Sequence, residues 1–162
     1  KSNSLINPQE TTILKRILAI YSEIKLAVEI DNNQQQTIDD YLTILAPWQK
    51  SYPNRIHISF DTGHIYKHWK NHEPNRFSNI TQILDYFLEQ KQTITSIEIN
   101  QVLKNESWHA LPWDQNAMIP EINKFIVDCQ HKIPNEFQVT FEIYPQYLEK
   151  FLENIQYFKQ TE

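Results

Sequence analysis

The stretch TIDDYLTILAPWQKSYPNRIHISF, residues 37–60, decides the fold class. Thr37 reads as a helix cap with Asp40 three residues on, the spacing of a capping box. Ile38, Tyr41, Leu42 and Leu45 then share one helical face, and Pro47 disturbs or ends the helix. Ser51-Tyr52-Pro53-Asn54 is a turn. Ile56, Ile58 and Phe60 alternate with Arg55, His57 and Ser59, which predicts a half-buried strand closed by Asp61-Thr62-Gly63. Helix, polar turn and strand together make one unit of an α/β layer.

The unit recurs downstream. Ser78 or Asn79 caps a helix over about 80–91, and Ile94, Ile97 and Ile99 mark a strand. A helix at about 119–131 carries Ile119, Ile122, Phe125, Ile126 and Cys129 on one side. Pro134 and Asn135 turn the chain, and Phe137, Val139, Phe141 and Ile143 alternate as a third strand. The three units, 37–60, 79–99 and 119–143, begin about 40 residues apart. Upstream, Asn7-Pro8-Gln9-Glu10 opens an amphipathic helix over roughly 8–30, with Leu26 off its apolar stripe. Pro145 opens a last helix with Tyr147, Leu148, Phe151, Leu152 and Ile155. The expected fold is therefore α/β: three helix–strand units forming a small, mostly parallel sheet with covering helices and an extra long N-terminal helix. The alternative is α+β. Residues 1–162 are expected to form one domain, and the opening Lys1 fits a segment excised from a longer chain.

Composition narrows the function classes. Gly63 is the only glycine in the sequence. A phosphate-cradling Walker loop, a dinucleotide fingerprint, a kinase glycine loop and a G-x-S-x-G elbow all need more. One cysteine, Cys129, makes no internal disulfide, which favours the cytosol as location. The net charge of −5 disfavours sequence-independent nucleic-acid binding. The longest apolar stretch, 13–30, carries Lys15, Arg16, Glu23, Lys25 and Glu29, so no membrane span is expected. No cofactor is expected either.

Four constellations carry chemistry. His64, His68 and His72 stand at i, i+4 and i+8 within HIYKHWKNHE, residues 64–73, a stretch readable as helix or strand. On a helix, adjacent pairs such as His64 and His68 could chelate a metal; on a strand they form a polar face. His57 in His57-Ile58-Ser59 matches half of a two-histidine phosphoesterase signature, without the second copy that acid–base chemistry requires. Residues 50–76 carry a net charge of +3 against −8 for the rest, through Lys50, Arg55, Lys67, Lys70 and Arg76. That basic stretch suits an anionic partner or substrate. The loop NESWHALPWDQNAMIP, residues 105–120, gathers Trp108, Leu111 and Trp113 without periodicity, the composition of a binding anchor or of a loop pinned on the core. Cys129, near Asp128 and His131, falls on an apolar face and reads as a buried thiol.

Residues 93–103, TITSIEINQVL, resemble the strand segment of a leucine-rich repeat, with Ile94, Ile97 and Ile99 at its first, fourth and sixth positions. The ninth-position asparagine of that family is Val102 here. The helix 80–91 suits the ribonuclease-inhibitor-type form, and irregular versions are similar to those in effectors of intracellular bacteria. The resemblance implies a curved protein-binding surface without catalysis, in the host cytosol if the chain is a secreted effector. The expected function is accordingly a protein–protein interaction module. Trp108, Leu111 and Trp113 are its anchors, and Arg55, Lys67 and Lys70 contribute to partner choice. The alternative is an enzyme or ligand-binding domain for an anionic, phosphorylated substrate. His57, His64 and His68 would then serve as acid–base groups or, for His64 and His68, as metal ligands.

Overall fold

The computed structural model describes residues 8–30, 37–99 and 118–142, together with Glu149 and Leu152. In chain order the elements are α1 (Pro8–Ile20), β1 (Leu26–Glu29), α2 (Ile38–Ser51), β2 (Ile56–Asp61), α3 (Thr62–His72), α4 (Ile80–Glu89), β3 (Ile94–Ile99), α5 (Met118–Lys132) and β4 (Gln138–Phe141). The four strands form one sheet in the order β1-β2-β3-β4, and every neighbouring pair is parallel. The α/β class and the parallel pairing expected from sequence are both present.

The long N-terminal helix is not. The helix stops at Ile20, and Leu26–Glu29 is a strand, so the described residues hold four helix–strand units rather than three. The cause lies in Arg55, far along the chain. Its guanidinium donates to the carbonyls of Leu18, Tyr21 and Ile24 at 2.8, 2.5 and 2.9 Å. Carbonyls at a helix end lack intrahelical partners, and Arg55 supplies them. The Leu26 amide then donates to the Arg55 carbonyl at 2.7 Å, which brings β1 alongside β2. Leu26 and Val28 are half-buried and alternate with exposed Ala27 and Glu29, and Ile30 is buried.

Local capping matches the sequence closely. Thr37 and Asp40 form the reciprocal capping box of α2, and Asn79 caps α4 by accepting from the Gln82 amide. Asn54 takes a left-handed conformation (φ 61°) in the turn before β2, which asparagine tolerates well. Pro47 sits inside α2 without ending it; the helix runs on to Ser51. Residues 64–72 are helix, with Glu73 as the C-cap. Asp61-Thr62-Gly63 is not a closing turn, because Asp61 ends β2 and at once caps α3, its carboxylate accepting from the His64 amide at 2.8 Å.

Register separates the two faces of the sheet. Ile56, Ile58 and Phe60 point to the helices, while His57, Ser59 and Asp61 point to the opposite face. Phe60 meets Phe87 of α4 edge-on and stacks on Phe125 of α5, with ring centroids 5.8 and 6.0 Å apart. Two successive helices thus cover the same face, as sequential parallel strands with crossovers of one hand require. Between Ile58 and Ser59 the register jumps from Ile94 to Ser96, so Thr95 is an extra residue of β3. This β-bulge puts Ile94 and Ile97 on one face although they are three apart. It accounts physically for the spacing that resembles a leucine-rich repeat. No described helix is long and apolar enough to cross a membrane.

Candidate metal centre

Each strand ends on, or beside, a carboxylate. Glu29 closes β1, Asp61 closes β2, Glu98 is the penultimate residue of β3, and Glu142 follows β4. Parallel pairing brings these ends to one edge. Asp61 stands opposite Glu98, and the Glu142 amide donates to the Ile99 carbonyl at 3.3 Å. In open α/β sheets ligands bind outside this C-terminal edge, at the point where the strand order reverses. The order of the described strands has no reversal, so the carboxylates alone single out the edge.

Two groups of three result, both containing Asp61. Ligand atoms of Glu29, Asp61 and His64 lie within 4.8 Å of one another, and so do those of Asp61, Glu98 and Glu142. Asp61 is buried, His64, Glu98 and Glu142 are half-buried, and Glu29 is exposed. His64 Nδ1 lies 2.7 Å from Glu29 Oε1. The Ser59 hydroxyl donates to Glu98 Oε1 at 2.6 Å and orients that carboxylate from behind, as outer partners do for metal ligands. Carboxylates gathered this closely repel one another. A cation placed among them removes that cost. The first group offers two carboxylates and an imidazole, a set suited to Zn²⁺ or Mn²⁺; the second offers oxygen alone, suited to Mg²⁺ or Mn²⁺.

The histidines divide between two environments. His64 joins the sheet edge, whereas His68 is fully buried with its ring edge-on to Tyr41 of α2 at 5.3 Å and beside His72 at 4.9 Å. The His64 and His68 pair considered from spacing alone is therefore not a shared metal pair; Glu29 and Asp61 are the groups beside His64. His57 is buried in β2, its Nε2 3.0 Å from the Asn54 carbonyl, which must accept its proton. That bond ties His57 to the opposite end of the strand.

The basic residues divide too. Arg55 is committed to the end of α1, as described above. Lys70 Nζ lies 3.7 Å from the ring centre of Trp69 and 5.5 Å from that of exposed Tyr66. Lys67 is half-buried, and burial holds its ammonium below the usual lysine range. Trp108, Leu111 and Trp113 lie outside the described residues, as does most of the last predicted helix. Reading residue by residue missed Glu29, Asp61, Glu98 and Glu142 as a group. Asp61 and Glu142 stand at or near the ends of segments that alternate in sequence, but Glu29 falls in a stretch that reads as helix, so only the strand register gathers the four.

No protein-family model, no curated protein and no solved structure matches this chain.

Proposed function

We propose that the chain carries a divalent-metal centre at the C-terminal edge of its sheet and uses it in an enzyme or ligand-binding domain for an anionic substrate. The single observation behind this reading is the pair of ligand groups joined by buried Asp61. Three protein ligands leave open coordination positions, the pattern of catalytic rather than structural sites. A phosphate or carboxylate oxygen of the substrate would fill such a position, and the cation would polarise it. Ser59 orients Glu98, and the N-terminal turn of α3 presents its positive end to the same edge.

Titration with Mn²⁺, followed by the loss of its free-ion paramagnetic resonance signal, tests the reading. Saturable binding of one or two ions that also raises the melting temperature is the expected result. Absence of binding at millimolar Mn²⁺, Zn²⁺ and Mg²⁺ would remove it. The second reading, an interaction module, rests in the described residues on one feature: Lys70 lies over exposed Tyr66 on α3, with buried Trp69 beneath it. Its anchors would be Trp108, Leu111 and Trp113. Loss of a captured partner in a folded Trp108→Ala/Trp113→Ala variant would favour it.

A further inference from the structure

His68 is the one fully buried imidazole among the described residues whose two ring nitrogens both lack a hydrogen-bond partner there. It sits where α3 packs on α2. The groups facing it are Asp40 and Tyr41 from α2, His72 from α3, and Glu73 from the cap of α3. Both carboxylates favour a charged ring, but less than burial and His72 oppose it, and each is already engaged by other donors. Asp40 accepts from the Thr37 amide and hydroxyl at 2.9 Å each, and Glu73 accepts from the Ile38 amide at 2.8 Å and from Arg76 at 2.5 Å. Tyr41 packs T-shaped against the ring, and His72 presents a second imidazole. A neutral ring fits this wall; an imidazolium does not, since buried charge without a partner is costly. His64, one turn earlier, faces Glu29 instead.

We propose that His68 is an acid-sensitive wedge: its protonation loosens the contact between α2 and α3, and with it the helix that follows directly from β2. Burial, and after it the neighbouring His72, hold the imidazole below the usual histidine range. In the unfolded chain a histidine titrates near 6.5. The folded state therefore binds the proton more weakly than the unfolded one. The stability due to neutral His68 is complete above about pH 6.5 and is lost as pH falls from there toward the folded value.

The experiment compares urea unfolding of the wild type and His68→Phe between pH 8 and pH 5. Below about pH 6.5 the folded-to-unfolded ratio of the wild type should fall relative to the variant by up to about tenfold per pH unit. Parallel curves for the two proteins overturn the proposal. Should His68→Phe fail to fold, the imidazole C–H resonances of the wild type decide. A His68 midpoint below about 6.5 supports the wedge, and one at or above it overturns it. His72→Ala should move that midpoint upward. This proposal is independent of the metal centre, since it is read without added metal.

Discussion

Glu29 and His64 meet at 2.7 Å although they belong to different helix–strand units. Glu29 is the last residue of β1, and His64 lies in the first turn of α3, which follows β2. The contact exists only because β1 pairs with β2 in parallel, with Glu29 opposite Ser59. It ties the edge strand to the start of α3, and a carboxylate oxygen of Asp61 lies within 4.8 Å of both partners.

Asp61 both caps α3 and belongs to the two ligand groups, so two substitutions should separate its roles. Asp61→Asn keeps a capping oxygen and should leave stability within about 0.5 kcal/mol, while Mn²⁺ affinity falls by more than about tenfold. Asp61→Ala should lose the metal and also about 1 kcal/mol of stability. Calorimetric titration beside urea unfolding reads both. Equal metal affinity in wild type and Asp61→Asn contradicts the assignment.

Arg55 should act as a staple for the α1 end. Arg55→Ala removes a donor from the carbonyls of Leu18, Tyr21 and Ile24, of which Tyr21 keeps the Ile24 amide, at a cost of about 1–3 kcal/mol. Arg55→Lys should recover only part of it, because an ammonium lacks the planar fork. Amide hydrogen exchange should quicken first in residues 17–24.

Asp39 should contribute an acid-dependent clasp. Arg76 donates to it at 3.0 Å and the Tyr86 hydroxyl donates as well, which joins α2 to α4. Those hydrogen bonds, Arg76 first, hold its carboxyl below the ordinary value of 3.8. The contribution is therefore present above about pH 4 and is lost as pH falls through the depressed folded value. The site is exposed, so Asp39→Asn should cost less than about 1 kcal/mol at pH 7, and the difference should vanish in strong acid. Thermal melts at pH 7 and pH 2.5 check this.

Cys129 should be inert in the folded protein. It is fully buried, and burial pushes its thiol up to about 12. Iodoacetamide at pH 8 should leave it unmodified for hours and alkylate it within minutes in urea. Rapid labelling of native protein would show that α5 opens readily from the sheet.

Much of the fold was legible because it was written locally. Thr37 with Asp40, the Asn79 cap, and the strand at Ile56, Ile58 and Phe60 are short-range signals, and each is realised, although β2 is buried on both faces and not half-buried as its alternation predicts. The end of α1 was not legible, because a side chain 34 residues beyond Tyr21 closes it. Leu26, off the helical stripe, was the only local trace of β1. The candidate site was half legible. His64 stood out by residue type, but its neighbours are set by strand register, which no single segment reveals. Asp61 in particular looked like turn chemistry, and only the helix beginning at Thr62 shows why it is buried.

The strand order β1-β2-β3-β4 has a kinetic consequence. Each strand pairs with the next one along the chain, so no pairing has to wait for a distant segment to arrive. Each pairing still closes a whole helix–strand unit, Leu26 onto Ile56 or Ile58 onto Ile94, and parallel pairing is slow, so this order only keeps each closure as short as a parallel sheet allows. Docking can start at any adjacent pair and spread outward, as in linear repeat arrays. The β2–β3 pair, with Phe60 under both α4 and α5, is the natural seed. A lesion at Phe60 should therefore slow folding itself, whereas one at Arg55 should mainly speed the fraying of an end.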